Sequence, residues 1–257
     1  MRAGTRSLNG DLTTRGRQTV TTSLLAASQV RINGASWILS AQRAAIWCER
    51  RWLIVADVHF GKAATFRALG VPVPQGTTAD TLVRLSELID RMQPSTVVFL
   101  GDLFHAREAH ATATLAALHE WRERYASLEL VLVEGNHDRK AGAPPAALRI
   151  HCEPDPWRVG DFAFCHYPRF VEDASAFAGH LHPAIRLAGR ADDSVRLPCF
   201  WLRDGLTVLP AFGAFTGGAT FDREEGDRVL AVAGDRVVNV PAPRYESLAS
   251  RAGGENM

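Results

Sequence analysis

The sequence predicts an α/β fold in which alternating strands and helices are followed by a second, mainly antiparallel sheet. In the first half, β-branched or aromatic runs of strand length alternate with two stretches of helical periodicity, which is typical of an α/β domain. After His166 the pattern changes to short strands between Gly, Asp and Pro turns. Several of the runs end in residues that can bind a metal, and ligands of α/β proteins bind at the carboxyl ends of strands.

Each predicted element has a local signal. Asn33-Gly34 is a typical two-residue turn and predicts a hairpin, whereas leucine and isoleucine at helical spacing before Pro94 predict a helix. The predicted elements before His137 are the hairpin 30–39, the meander strands 44–48 and 52–56, the helix 78–92, the strand 96–100, the helix 108–125 and the strand 128–133. The later predicted strands are 162–165, 184–187, 195–197, 200–202, 206–209, 229–232 and 237–240.

The composition of the 257 residues is that of an ordinary globular protein, with 46% apolar and 22% charged residues. A net charge of +1 gives no general attraction to nucleic acid or anionic lipid, so a polyanionic substrate needs a local patch or metal ions. No apolar run is long enough to cross a membrane, and four scattered cysteines do not form a disulfide framework, which favours the cytoplasm. We expect a tail over 1–28, one domain over 29–244 and a polar tail over 245–257.

Short motifs follow the predicted strands. They are Asp57-Val58-His59, Gly101-Asp102, Gly135-Asn136-His137-Asp138, His166 and Gly179-His180-Leu181-His182. We predict an extended chain at Asp57 and His59, which are two residues apart, so that both side chains leave the same face. Mixed carboxylate, amide and imidazole donors suit borderline divalent ions, and there are too many donors here for one tetrahedral zinc. They suit a pair of ions about 3.5–4 Å apart, which can activate water and clamp a phosphoryl group.

In this order, the motifs resemble the signature of the calcineurin-type metallophosphoesterases. The resemblance implies a four-layer αββα sandwich with two mixed sheets flanked by helices. It also implies that Asp57, His59, Asp102 and His182 bind one metal ion, and that Asp102, as a bridge, with Asn136, His166 and His180 binds the other. His137 would contact the phosphate or protonate the leaving oxygen, and Asp138 would orient its ring. Many relatives have an acid where this chain has His105.

A narrower resemblance rests on Asp57-Val58-His59-Phe60-Gly61-Lys62, Gly70-Val71-Pro72-Val73-Pro74, Gly101-Asp102-Leu103-Phe104-His105 and the segment 209–218, Leu-Pro-Ala-Phe-Gly-Ala-Phe-Thr-Gly-Gly. These are similar to the ligase-associated DNA-damage-response phosphodiesterases, the PdeM family, in which His105 is the expected residue. This resemblance implies manganese-dependent phosphodiester hydrolysis, with iron, zinc or nickel as alternative ions. The implied substrate is DNA, RNA or another phosphodiester, with functional association to a DNA ligase and helicase repair system.

Alternatives remain open at this point. A phosphatase or nucleotide pyrophosphohydrolase of the same superfamily has the same motifs, and a scaffold of this fold without catalysis is a different class. A homodimer is also left open. Basic residues just after the motifs are candidate substrate contacts, although most such charges lie on solvated loops; these are Lys62, Arg107, Arg139 and Arg169. Four phenylalanines, Phe104, Phe170, Phe212 and Phe215, are candidates for stacking on bases.

Overall fold

The computed structural model describes residues 27–73, 76–188 and 193–242, with the side chains of residues 107 and 108 left aside. The predicted tails, 1–28 and 245–257, therefore lie outside the described residues, except that positions 27 and 28 begin the first strand. The last two positions of the predicted domain, 243 and 244, also lie outside them. Among the described helices, none has the length and apolar character that crossing a membrane requires.

The first sheet has seven strands in sequential order. Strands β1 to β4 form an antiparallel meander, and β4 to β7 are parallel to one another. The strands are β1 (Ala27–Ile32), β2 (Ala35–Ser40), β3 (Ala44–Trp47), β4 (Trp52–Ala56), β5 (Thr96–Leu100), β6 (Glu129–Val133) and β7 (Ile150–Glu153). The predicted hairpin is confirmed, because Asn33 and Gly34 both adopt the positive φ that its turn requires.

The helices of the described residues all precede β7 in the chain. They are α1 (Lys62–Ala68), α2 (Thr77–Met92), α3 (Thr112–Arg124) and α4 (Asn136–Ala141). The helix predicted over 108–125 is divided into a 3-10 turn (Arg107–His110) and α3, because Ala111 between them is extended, with φ −54° and ψ 143°. Two short helices, α1 and α4, were not predicted; seven and six residues are too few to show a period.

The second sheet runs in the order β15-β14-β12-β13-β10-β9-β8, with β11 paired to β12. Its strands are β8 (Trp157–Val159), β9 (Phe162–Cys165), β10 (Ser175–Ala178), β11 (Ala184–Ala188), β12 (Ser194–Arg203), β13 (Leu206–Val208), β14 (Arg228–Ala233) and β15 (Arg236–Val240). Its pairs are antiparallel except β9–β10 and β10–β13. The strands predicted over 195–197 and 200–202 form one strand, β12, which runs through Pro198. Pro198 lies where the partner of β12 changes from β11 to β14, and proline is tolerated at such a position.

The two sheets pack face to face through one apolar core. Ile54 and Ala56 of β4 meet Phe164 of β9 in this core, whereas the alternate residues of β4 face α2 and α3. Both faces of β4 are therefore buried, which explains its uninterrupted apolar sequence. The packing confirms a sandwich of two mixed sheets with helices, and it brings the carboxyl ends of the parallel strands of both sheets together.

Candidate metal centre

The polar residues that follow the parallel strands converge at one place. Asp57 and His59 follow β4, and Asp102 and Asn136 follow β5 and β6. From the second sheet, His166 follows β9, and the loop after β10 contributes His180 and His182. The structure thus places every predicted metal ligand at the same end of the sandwich.

Six of these side chains form two groups, each able to hold a divalent ion. Within each group, one candidate ligand atom of every member lies within 4.8 Å of the others. The first group is Asp57, His59 and His182, and the second group is Asp102, His166 and His180. Asn136 adjoins the second group, because its Oδ1 lies 2.9 Å from His166 Nε2. Carboxylate oxygens and imidazole nitrogens are ligands for borderline divalent metals.

Asp102 belongs to the second group but also faces the first. Its Oδ2 is 3.8 Å from His59 Nε2 in the first group, and its Oδ1 is 3.5 Å from His166 Nε2 in the second. Burial lowers the pKa of His59 far below its usual range, so this imidazole stays neutral and the 3.8 Å approach is not an ion pair. The two oxygens of one carboxylate therefore face opposite groups, as a bridging ligand requires.

The backbone at these residues is in an uncommon conformation. Positive φ occurs at Asp57 (52°), His59 (50°), Asp102 (50°), His180 (67°) and His182 (47°). This left-handed region costs a non-glycine residue roughly 1–3 kcal/mol, and such strain is concentrated at functional sites. The sequence-based expectation of an extended chain at Asp57 and His59 is wrong. Their side chains converge because the loop after β4 curls, which the alternation of residues does not reveal.

Several buried polar atoms of the centre have no hydrogen-bond partner, which suits these residues to bind a cation. In the described part of the chain, Asp57 Oδ1, His59 Nδ1 and His182 Nε2 are buried and have no hydrogen-bond partner. Asp57 Oδ1 and His182 Nε2 lie 3.3 Å apart. Burial, together with the neighbouring His166, also lowers the pKa of His180, which keeps its ring neutral. Neutral imidazoles beside carboxylates are the protonation states that metal binding needs.

His137 lies beside the two groups but is held differently. Its side chain is 30% exposed, and its Nε2 is 3.9 Å from Asp102 Oδ2. Its Nδ1 is 2.6 Å from the carbonyl oxygen of His105, which can only accept a hydrogen bond. His137 therefore carries a proton on Nδ1 and presents Nε2 to the centre. The two rings, His105 and His137, stack with centroids 4.8 Å apart.

We expected the His137 ring to donate a hydrogen bond to Asp138, but its Nδ1 contacts the His105 carbonyl instead. The Asp138 carboxylate instead accepts backbone N–H groups from Gly135 (2.9 Å), Leu103 (2.9 Å) and Phe104 (3.2 Å). Burial raises the pKa of Asp138, and the donated N–H groups oppose this effect. Asp138 thus joins the loops after β5 and β6. Sequence reasoning noted His105 but missed the contact of its carbonyl with His137, because a main-chain carbonyl carries no residue-type signal.

The candidate substrate contacts have different surroundings. Lys62, in the first turn of α1, is half-buried; burial lowers the pKa of its ammonium, while Asp57 and Asp102 act to raise it. Lys62 therefore lies within electrostatic reach of the centre. Arg139 is exposed on α4, and Arg169 forms an ion pair with Asp155 at 3.1 Å. The side chain of Arg107 lies outside the described residues.

The four phenylalanines that were candidates for stacking on bases differ in exposure. Phe104 and Phe212 are fully buried, so stacking on a base is excluded for both in this conformation. Phe170 is 62% exposed and lies against Gly205 in the turn between β12 and β13. Phe215 is half-buried and is in edge contact with Phe66, which in turn stacks on His105.

Glycines of the motifs permit the close approach of neighbouring loops. A Cβ on Gly135 would lie 2.5 Å from Asp102 Oδ1, and a Cβ on Gly179 would lie 2.6 Å from Asp57 Oδ2. Each glycine therefore packs directly against a carboxylate that another motif contributes. This packing explains why glycine precedes the polar residues in both motifs.

A protein-family model described as calcineurin-like phosphoesterase matches residues 50–204, more than half of the chain and all the residues of both groups. The chain belongs to the calcineurin-like phosphoesterase family. Among solved structures, the nuclease MPE of Pseudomonas putida is 39% identical with a TM-score of 0.74, and the match covers 83% of this chain and 100% of that one. The phosphoesterase Yfce of E. coli is 14% identical with a TM-score of 0.34, over 74% of this chain and 97% of that one. No curated protein matches.

These findings support the predicted family, fold and enzyme class. The chain is a metal-dependent phosphoesterase, a hydrolase of ester bonds, with two candidate metal-binding groups of Asp and His residues.

Proposed function

We propose that this calcineurin-like phosphoesterase is a binuclear, manganese-dependent phosphodiesterase that acts on nucleic acid. The observation that carries the proposal is the position of Asp102, with one carboxylate oxygen toward His59 of the first group and the other toward His166 of its own group. The Pseudomonas putida relative, at 39% identity over its whole length, is a nuclease, which supports a phosphodiester substrate. Association with DNA repair, and with a ligase and helicase system, is proposed from the motif resemblance.

In this proposal the residues divide by role. Asp57, His59 and His182 would hold one ion, Asn136, His166 and His180 would hold the other, and Asp102 would be shared by both. When bound, such a pair supplies Lewis-acid stabilisation of the phosphoryl oxygens and lowers the pKa of a water molecule. The mixed oxygen and nitrogen donors suit Mn²⁺, with Fe, Zn or Ni as alternatives.

His137 acts on the substrate rather than on the metal. Since its Nδ1–H is held by the His105 carbonyl, its Nε2 is the atom that meets the phosphate or, when protonated, gives a proton to the leaving oxygen. The ammonium of Lys62, near Asp57 and Asp102, adds positive charge for a phosphodiester. Asp138 is assigned a structural role, because it holds the loop that carries Asn136 and His137.

The test is metal reconstitution of the chelated protein. We expect Mn²⁺ titration to show two ions per chain and to restore hydrolysis of bis-p-nitrophenyl phosphate more effectively than that of p-nitrophenyl phosphate. Oligonucleotides with and without a complementary strand then report the nucleic-acid substrate. Full diester hydrolysis in excess chelator would contradict the metal role, and a preference for the monoester would favour a phosphatase instead.

A further inference from the structure

The segment 209–219, here called the strap, follows β13 and contributes no side chain to either metal-binding group. It nevertheless touches, at three places, the two loops that carry Asp57, His59, His180 and His182. Leu209 donates its N–H to the carbonyl of Ala178 (2.8 Å), at the end of β10, just before His180. Farther along, Phe212 and Gly213 contact the loop of Asp57, and Ala219 contacts His182.

The contact with Asp57 is made by main-chain groups. Phe212 donates its N–H to the carbonyl of Ala56 (2.7 Å), and Gly213 donates to the carbonyl of Asp57 (3.2 Å). These bonds hold the carbonyl groups at the entry to the left-handed turn of Asp57 and His59. Ala214 anchors the strap on α2, because its N–H reaches the hydroxyl of Thr81 at 3.2 Å.

Gly213 leaves no room for a side chain. A Cβ at this position would lie 2.5 Å from the carbonyl oxygen of Val58 and 3.2 Å from that of Asp57, both main-chain atoms, and 2.6 Å from Thr216 Oγ1. The φ of Gly213 is not in the positive range, so its backbone conformation is one that alanine also adopts. The obstacle to a side chain is therefore the close contact of the Cβ, not the conformation. Glycine is required at 213 because the strap lies directly on the ligand loop.

The other end of the strap fixes His182. Ala219 donates its N–H to the carbonyl of His182 (2.9 Å) and accepts from Ala184 (2.8 Å). A Cβ on Gly218 would lie 2.7 Å from Ala184 Cβ and 3.2 Å from the carbonyl of His182. The strap therefore contacts both parts of the chain that form the first group: the loop of Asp57 and His59, and His182.

We infer that the strap is the positioning element of the first metal-binding group and that Gly213 is its principal positioning residue. The inference rests on the metal assignment of the proposed function. Main-chain contacts from one continuous segment set the separation between the carboxylate of Asp57 and the imidazole of His182. Among the described residues, the strap makes no main-chain hydrogen bond to Asp102 or His166 of the second group, and its bond to Ala178 ends two residues before His180.

The experiment compares three alanine variants by Mn²⁺ titration of the chelated protein, with free Mn²⁺ followed by electron paramagnetic resonance. Gly217→Ala is the matched control, because a Cβ there meets nothing within 4 Å and its φ is ordinary. Gly213→Ala should bind one ion with wild-type affinity and the other about 10–100-fold more weakly. This is the loss of metal affinity that typically follows when residues that support the ligands are changed. Gly218→Ala should weaken the same ion, and adding Ala184→Gly should restore part of its affinity.

The outcomes separate the inference from the proposed function. If the wild type binds no Mn²⁺, the proposed function fails. If the wild type and Gly213→Ala both bind two ions with equal affinity, the inference alone fails. A variant that merely melts at a lower temperature, with unchanged Mn²⁺ affinities at 25 °C, would also overturn the positioning role. Should Gly213→Ala not fold, Gly218→Ala and its Ala184→Gly rescue decide the question in the same titration.

Discussion

The two sheets bring different ligand chemistry to the centre. Loops of the first sheet supply the oxygen donors, Asp57, Asp102 and Asn136, together with His59, whereas loops of the second sheet supply only imidazoles. Each group combines both sources: the first contains His182, and the second contains His166 and His180. The carboxylates of one sheet bring the negative charge, and the imidazoles of the other would complete the set of ligands. A complete group therefore exists only when the sheets are packed together.

The largest expected effect distinguishes Asp102 of the first sheet from His182 of the second. Asp102→Ala removes the proposed bridge, so we expect loss of both ions and activity at background level. His182→Ala removes one member of the first group, so we expect one weakened ion and a protein that still binds the other. Elemental analysis after dialysis, with activity on bis-p-nitrophenyl phosphate, measures both.

Asp235→Ala is the control for these variants, because its carboxylate is 90% exposed and its ion pair with Arg236, at 3.8 Å, lies on the surface. It should keep two ions and wild-type activity. An Asp102→Ala protein with two bound ions and near-normal turnover would show that Asp102 does not bridge, and the contrast between the sheets would lose its main support.

A smaller effect is expected at His137, which the first sheet supplies but which is assigned to chemistry rather than metal binding. His137→Ala should keep both ions and lose on the order of 10²–10⁴ in rate on an oligonucleotide, whose alkoxide needs a proton. The loss should be smaller on an aryl ester, since nitrophenolate leaves without help. Steady-state kinetics on the two substrates measure the difference.

His151→Ala serves as the control for His137, because His151 is exposed on β7 and contacts Glu153. Equal losses on the two substrates would indicate phosphate binding in place of proton donation. A His137→Ala protein without metal would instead make His137 a ligand and add an imidazole to the first sheet's contribution.

The smallest expected effect concerns the four cysteines, whose exposure differs between the two sheets. Cys48 and Cys152, in the region of the first sheet, are exposed, whereas Cys165 and Cys199 of the second sheet are buried. Burial raises the pKa of Cys165 and of Cys199 to about 12, from an ordinary value of 9.0. At pH 8 we expect iodoacetamide to modify two thiols quickly and two only after unfolding, as counted by intact mass.

The same shift has a consequence for stability. Because these two thiols ionise more easily in the unfolded chain, their contribution to stability is complete below pH 9 and declines as the pH rises toward 12. Urea unfolding at pH 8 and pH 10.5 measures this decline. Rapid modification of all four thiols in the native protein would show that the second sheet opens readily, contrary to its packing against the first.

Much of the fold was predictable because its signals are local. The strand-length apolar runs before Asp57 and Asp102 predicted β4 and β5, and the periodicity of 78–92 predicted α2 to within one residue. Elements without a repeating pattern were missed: α1 and α4 are too short, and β10 has the sequence Ser-Ala-Phe-Ala, whose burial comes from its position between β9 and β13.

For the centre, the sequence by itself determined which residue types stand at the strand ends, from Asp57 to His182, and hence the class of ion that suits them. The tertiary structure alone decided how they combine. The left-handed turns at Asp57 and His59, the hydrogen bond from His137 to the His105 carbonyl, and the bonding of Asp138 to the loop after β5 depend on main-chain positions. Main-chain carbonyl and N–H groups are present at nearly every residue, so only the packing of distant segments selects those that reach the site.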